Sequence, residues 1–400
     1  MKAIVSLVSV LVAAAAWSAP TAAVTSVTQD AATGIVTVDY TLSEEDAVVT
    51  FDVLTNGVSV GLGRVRRVWG DVNCRVARGS RSLMWNSRDN WSDGIVLADC
   101  QFAVKAWSLA NPPDYMAINA YQPSNILFYA GADALPCAPT SMTMKTAWML
   151  MRKIPAAGVR WRMGSTADDT LRNEANEVPH YVTLDHDYYM GVYKVTMNQY
   201  YSIMNGSSTH GAAPAGGMGV EMIRGATADY DWPDDGHKAD PTKFIGKLQA
   251  HAGIDSMDLP TEAQWEYACR AGTSSPRYNG KDVSHLPEIA WYDHKTGTQE
   301  VGLLEPNAWG LYDMYGNLFE LCLDWFSKGD AFCREGDEVS EPKGPQTGGT
   351  RVYRGCSYSH GNSYARSASR DGQAPNSPYT TLGARLCCRA DFLSTRASED

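Results

Sequence analysis

Thiols, imidazoles and clustered carboxylates are the groups in this chain whose types and spacing could do chemistry. The nine cysteines are Cys74, Cys100, Cys137, Cys269, Cys322, Cys333, Cys356, Cys387 and Cys388. Nine is odd, so at least one thiol stays free or pairs between chains. No CxxC occurs and the spacings are wide, which excludes a zinc ribbon or a disulfide-dense mini-protein. All eight histidines lie at or beyond His180, and none forms an HxH or HxxxH pair. His186 sits between Asp185 and Asp187. Adjacent residues on a strand face opposite sides, so that triplet reads as a strand end rather than a metal site. Four aspartates crowd DYDWPDDGH (229–237), but Pro233 stands at the third EF-hand ligand position and the distal Glu is absent. That segment reads as a solvated acidic loop. Motifs for phosphate loops, nucleophile elbows, zinc proteases and dinucleotide binding are absent. What remains is RGCSYSHGNSYARSASR (354–370), a polar run of Ser, Tyr, Gly and His around one thiol.

Such a run needs a scaffold. With 400 residues the chain has room for two domains. Hydrophobic residues make up 44% and charged residues 20%, the balance of a globular protein with a packed core. The net charge of −11 argues against a nucleic-acid partner, which would need a basic stripe. The N-terminus carries Lys2, then an apolar run at 3–16, then small residues. That is the pattern of a secretory signal peptide over 1–23, with cleavage after Ser18 or Ala23. No cysteine near the cleavage zone offers a lipid anchor, and no second long apolar run follows. The expectation is an exported protein, periplasmic, cell-surface or secreted, with no membrane span once the leader is removed. Export permits disulfides, and Cys74 with Cys100 is a candidate bridge.

Residues 24–111 alternate like strands. GIVTVDYTL (34–42), AVVTFDVLTNGVSV (47–60), RSLMWN (81–86) and FAVKAWSLA (102–110) are separated by turn residues, and Asn56-Gly57 marks a tight hairpin. This predicts an immunoglobulin-like β-sandwich serving as an accessory module. Asn111-Pro112-Pro113 closes the pattern. Residues 112–150 read as a connecting segment with one strand, NILFYAGA (125–132). A second domain then spans 151–393, followed by a tail at 394–400. Two helices are legible in it. One begins at Thr196 (196–205), and the other begins at Thr261 with Gln264 three residues on, a capping box. The remainder is rich in Gly and Trp without long periodic runs. That predicts an α+β fold in which loops surround a small sheet.

Four ordered segments of the second domain resemble the formylglycine-generating enzyme family, the sulfatase-modifying factors. They are WRMGSTADDTLRNEANEVPHYVTLDHDYYMGVYKVTMNQYYSIM (161–204), DLPTEAQWEYACRAG (258–272), PNAWGLYDMYGNLFELCLDWF (306–326) and RVYRGCSYS…RSASR…GARLCCR (351–389). The resemblance implies an irregular α+β domain related to C-type lectins. Members of the family oxidise a substrate cysteine to formylglycine with two cysteines that hold copper. The matching positions here are His360 and Ala365, and an imidazole with a methyl cannot replace two soft thiolates. No copper is therefore expected. Cys356 stands where the family usually has Gly. The resemblance also implies a structural Ca²⁺ with Asn317 and Glu320 as side-chain ligands, although the usual Trp-Glu-Trp reads Phe319-Glu320-Leu321 here. His180 falls in the family's Pro-His motif as a structural hydrogen bonder.

Residues 355–385 contain no Trp, Met, Lys or Glu and are dominated by Ser, Tyr, Ala, Gly, Arg and Asn. Tyr supplies rigid contact area, and Ser, Gly and Asn supply adaptable hydrogen bonds, which is the composition of a binding face. The segment resembles the variable region of C-type-lectin-fold proteins diversified by retroelements. In those, adenines of a template are randomised and Asn codons become NNY codons. Residues 357–365 all fall within the NNY set, whereas Gln373 falls outside it and would belong to the fixed frame. The expected ligand-binding residues are Ser357, Tyr358, Ser359, His360, Asn362, Ser363, Tyr364, Asp371, Asn376 and Tyr379, facing a protein or glycan partner. The alternative is an oxidase of altered chemistry that uses His360 and Cys356.

Overall fold

The computed structural model describes residues 19–61, 65, 67–89, 100–207, 209–226, 230, 232–233, 236–294, 296–328 and 333–396. The leader up to Ser18 and the aspartates 229, 231, 234 and 235 of the acidic loop lie outside the described residues.

Alternation in the first hundred residues produces two antiparallel sheets. Strands Thr21–Gln29, Ile35–Ser43, Gly79–Asn86 and Val68–Gly70 form one in that order. Ala47–Thr55 forms the other with Val58–Ser59, Arg75–Val76 and Cys100–Ser108. Val36, Val38, Tyr40 and Leu42 point inward with Val49, Phe51, Val53, Leu83 and Trp85, so both sheets share one core. Asn56-Gly57 makes the expected hairpin: Thr55 pairs with Val58, and both turn residues have positive φ, 52° and 75°. The first strand already includes Thr21, Ala22 and Ala23, paired with Ser43, Leu42 and Thr41.

The Cys74–Cys100 bridge is not formed, and the topology explains why. Cys74 lies beside Val49, to which its carbonyl is hydrogen-bonded, whereas Cys100 pairs with Thr55 at the far end of the same strand. Six residues of strand separate them by roughly 20 Å, beyond the reach of a disulfide. The two are not joined to each other.

Residues 112–150 are more than a connection. Tyr115–Asn119, Ile126–Tyr129 and Trp148–Ile154 are strands of the main sheet, which continues through Tyr188–Gly191 to Cys387–Arg389. All five residues of Tyr115–Asn119 are buried, so the strand has no polar face and gives no alternation to detect. A second sheet runs Arg370–Gln373, Arg351–Arg354, Phe319–Trp325 and Leu382–Gly383, and every residue of Phe319–Trp325 is buried.

The two expected helices are Met197–Asn205 and Glu262–Arg270. Both open on full capping boxes, Thr196 with Gln199 and Thr261 with Gln264. Phe244–Ala252 is a third helix of the same length, and its N-cap Lys243 provides no capping side chain, which removes the usual sequence signal. The tail begins as a short helix, Phe392–Arg396. Among the described residues no helix is long and apolar enough to cross a membrane.

Charges are buried between these layers. Glu262, at the start of the central helix, receives both Arg370 donors at 2.6 Å. Asp324, facing it, accepts the Glu262 backbone N–H at 2.7 Å. Burial, reinforced by the Glu262 charge, pushes the Asp324 carboxyl up to about 7. A raised folded-state pKa means that folding takes up a proton. Stability contributed by this group is therefore present near pH 3.8 and declines as pH rises toward 7. The slope is at most about 1.4 kcal/mol per pH unit. Asp324→Asn keeps a carbonyl acceptor for the Glu262 N–H and should flatten that decline. Urea unfolding of both proteins at about pH 5 and about pH 8 reads the difference.

Candidate functional site

The strand Arg351–Arg354 delivers the chain to Gly355 and Cys356, both with positive φ, 90° and 68°. A Cβ on Gly355 would come within 2.8 Å of the Met314 carbonyl and 2.9 Å of the Trp265 ring, so this corner has room only for glycine. Cys356 accepts a left-handed backbone without being glycine. Beyond the corner, residues 357–369 cross the end of the domain in turns and irregular structure.

Main-chain carbonyls hold much of the path of this segment. Arg277 donates to the carbonyls of Ala365 at 2.8 Å and Asn362 at 3.2 Å. Arg354 donates to those of Ala368 and Ser369, both at 2.8 Å. Arg366 Nε donates to Ser363 O at 2.8 Å. The backbone N–H groups of Asp293 and His294 donate to His360 O and Tyr358 O, and Tyr358 N–H donates to Asn317 O. The guanidinium groups are themselves held. Arg354 pairs with Glu266, and Arg366 pairs with Asp169 at 2.7 Å and Glu177 at 2.6 Å.

Side chains of the expected binding residues divide by depth. Ser359, Ser363, Asn376 and Tyr379 are exposed, Tyr379 at 53%. Tyr358, His360, Asn362, Tyr364 and Asp371 are half-buried. Ser357 is fully buried, which corrects its place on the face: its hydroxyl lies 2.6 Å from His360 Nδ1 and orients that ring from beneath. Burial lowers the His360 pKa, so the imidazole is neutral at pH 7.

His360 and Tyr364 meet edge to face at 5.2 Å, and both pack on Phe319, at 4.8 and 5.8 Å. Tyr353 joins the cluster against Phe319 at 4.6 Å, and it pairs across the sheet with Asp371. Sequence reasoning missed Tyr353. Its signal is its half-buried position on a strand whose other residues are buried. Ser363, Tyr364 and Asp371 wall a groove of about 540 Å³ open to solvent, completed by Leu171 and Asn173. Those two residues are nearly two hundred positions distant in sequence, and nothing local announces them. Asn376 and Tyr379 lie on a separate loop, where Tyr379 bridges to Met218 beside the short helix Val220–Arg224.

Cys356 lies beneath this face. Its Sγ–H points at the carbonyls of Ser357, His360 and Gly361, at 3.4 to 3.7 Å, and burial pushes the thiol up to about 12. At neutral pH it is a protonated thiol. Ala365 is fully buried.

Asn317 and Glu320 are engaged differently from the expected Ca²⁺ ligation. Asn317 accepts the Gln299 N–H at 3.2 Å and donates to the Gln299 carbonyl at 3.0 Å, pinning that loop. Glu320 is fully buried and accepts from Lys194, from Trp265 Nε1 and from two Arg385 nitrogens. Burial alone would raise its pKa, but Arg385 and Lys194 outweigh it and hold the carboxyl down to about 2. Both oxygens thus face cations of the chain itself. His180 is the hydrogen bonder expected, with Nδ1 at 2.8 Å from Val178 O.

The result is a loop-dominated α+β domain whose last strand, Cys387–Arg389, pairs with the earlier Tyr188–Gly191. Residues 154–390 match the sulfatase-modifying factor enzyme 1-like domain, and the chain belongs to that family. The formylglycine-generating enzyme of Streptomyces coelicolor is 37% identical over 167 residues, covering 38% of this chain and 52% of that protein. The Mus musculus enzyme is 36% identical over 158 residues, covering 34% of this chain and 40% of that protein. The chain thus spans about half the length, or less, of these relatives. Treponema denticola variable protein 1 is 26% identical at a TM-score of 0.47, covering 61% of this chain and 96% of that structure.

The left-handed backbone at Cys356 sets a graded expectation. Cys356→Gly should leave stability within about 1 kcal/mol, because relief of strain offsets the lost sulfur contacts. Cys356→Val should cost about 2 kcal/mol or more, since a β-branched residue resists positive φ. Chemical denaturation of the two variants reads the contrast.

Proposed function

We propose that this protein is an exported ligand-binding protein whose Tyr- and Ser-rich face, centred on Tyr358, His360, Tyr364, Asp371 and Tyr379, is displayed on a formylglycine-generating-enzyme-like scaffold without oxidase chemistry. The observation that carries this reading is the anchoring of residues 357–369 through main-chain carbonyls. A carbonyl offers the same acceptor whatever side chain its residue bears. The face can therefore change composition while the frame of Arg277, Arg354 and Arg366 stays constant. That is what diversification by a retroelement would require, and the NNY composition of 357–365 fits it.

Copper chemistry fits the residues poorly. The imidazole of His360 and the methyl of Ala365 do not make the pair of soft thiolates that Cu(I) needs, and nearby Cys356 is a single buried thiol held protonated. Glu320, neutralised by Lys194 and Arg385, supports a structural role without Ca²⁺. The two N-terminal sheets act as an immunoglobulin-like spacer. Leader cleavage after Ser18 leaves Thr21–Gln29 whole, whereas cleavage after Ala23 would remove three paired residues. Ligands are proteins or glycans rather than nucleic acids.

Replacing Ser359, Ser363, Asn376 and Tyr379 together should change unfolding free energy by less than about 1 kcal/mol. Arg277→Ala, which removes the side-chain donor to the carbonyls of Ala365 and Asn362, should cost about 2 kcal/mol or more. Equal destabilisation by both sets would sink the display reading. On glycan and cell-surface protein arrays, Tyr379→Ala, at a side chain 53% exposed, should abolish any signal the wild type gives while leaving its melting temperature in place. In the gene's neighbourhood, a near-copy of the codons for 351–389, differing at adenines, should lie beside a reverse transcriptase. Its absence would remove diversification from the proposal and leave binding.

A further inference from the structure

Among the described residues, no lysine, arginine or histidine forms an ion pair with Asp371 of the display face. The two guanidinium groups lining the same groove of about 540 Å³ are committed elsewhere, Arg366 to Asp169 and Glu177, and Arg370 to Glu262. The partners of Asp371 are neutral donors. Its Oδ1 accepts the Gly372 N–H at 2.8 Å, and the hydroxyl of Tyr353, paired with it across the sheet, donates to the same carboxylate. Burial, and then the Asp371 charge, raise the Tyr353 pKa, so that phenol stays protonated and keeps donating. These bonds hold the half-buried carboxylate in place without cancelling its charge. His360, packed on Tyr364, is neutral at pH 7 and adds no cation.

Tyr353 and Tyr364 bring aromatic rings to this carboxylate, one through its hydrogen bond and the other as a wall of the same groove. Both pack on Phe319, at 4.6 and 5.8 Å, which steadies the rings. A carboxylate and ring faces attract the same ligand charge, a positive one. A planar guanidinium grips a carboxylate best through two free oxygens side by side. Here Gly372 and Tyr353 already take up acceptor positions, which suits a compact ammonium with no fixed fork. The groove also carries Leu171, 39% exposed, an apolar surface for an aliphatic stem. A lysine has such a stem, whereas an amino sugar carries its ammonium directly on the ring. The side-chain amides of Asn173 and Asn176 line the groove too, and they make no hydrogen bond within the described residues. Each offers a donor and an acceptor, the complement of a peptide unit.

Building on the display function above, we propose that this groove takes up a lysine side chain of a partner polypeptide, its ammonium on Asp371 beside Tyr353 and Tyr364 and its stem along Leu171. Asp371 sets the charge of the ligand, and the two tyrosines favour a weakly hydrated fit over the open solvent. Leu171, Asn173 and Asn176 lie outside residues 351–389, so a face that changes composition keeps them as constant contacts.

The test exposes the immobilised full-length chain to short random-sequence peptides whose central residue is fixed as lysine, acetyl-lysine, arginine or glutamate, and to glucosamine oligomers. The lysine set should be retained at least about tenfold over the acetyl-lysine and glutamate sets, and above the arginine set. Its retention should fall as NaCl rises from about 0.05 M to about 0.5 M. Asp371→Asn keeps an acceptor for the Gly372 N–H and the Tyr353 hydroxyl. It should bring the lysine set down to the acetyl-lysine level with the melting temperature unchanged. Should that variant fail to fold, the wild-type comparison of the peptide sets decides. Equal retention of the lysine and acetyl-lysine sets, retention of neither, a preference for arginine or for glucosamine oligomers, or indifference to Asp371→Asn overturns the lysine seat. A partner that is lost with Tyr379→Ala and unaffected by Asp371→Asn overturns it while leaving the display function standing.

Discussion

The C-terminal half of this protein depends on buried guanidinium groups that donate to main-chain carbonyls. Arg385 binds Glu320 through two nitrogens and reaches the carbonyls of Gly191, Val192 and Tyr312. Arg277 and Arg354 do the same beneath residues 357–369. A domain with so little regular structure leaves many carbonyls without sheet or helix partners, and each would be costly to bury unpaired. The planar fork of arginine satisfies several at once, from one fixed direction.

That solution requires counter-charges. Burying a guanidinium is expensive unless a carboxylate shares the site, so Glu262, Glu266 and Glu320 are drawn inward with their arginines. The central helix supplies two of these acids, one turn apart on one face, and its capping box sets where that face begins. Trp265, between them, hydrogen-bonds Glu320 and packs beside Gly355. Helix, ion pairs and the glycine corner that launches the display segment form one connected unit.

Much of this was legible in sequence where the physics is local. Thr196 and Thr261 announced their helices through caps, and Asn56-Gly57 announced its hairpin. The ordered motifs from Trp161 onward carried the family. What stayed hidden is non-local. Tyr115–Asn119 is buried on both faces and shows no alternation. Glu320 looked like an oxygen ligand because its partners, Lys194 and Arg385, are 126 and 65 positions away. Ser357 has the composition of its exposed neighbours, and only the turn at Cys356 sends it inward. Leu171 and Asn173 complete the groove from a loop whose sequence is silent about it.

The strand Cys387–Arg389 seals the main sheet against Tyr188–Gly191, and Arg385, just before it, secures Glu320. This placement governs the order of assembly during synthesis. The two N-terminal sheets close around their own core with residues from the first 108 positions, so they can fold while the rest of the chain is still being made. The main sheet lacks its fifth strand, and Glu320 lacks its Arg385 partner, until residues 385–389 have been made. Its closing contacts join residues about two hundred positions apart, and pairings of that separation form slowly.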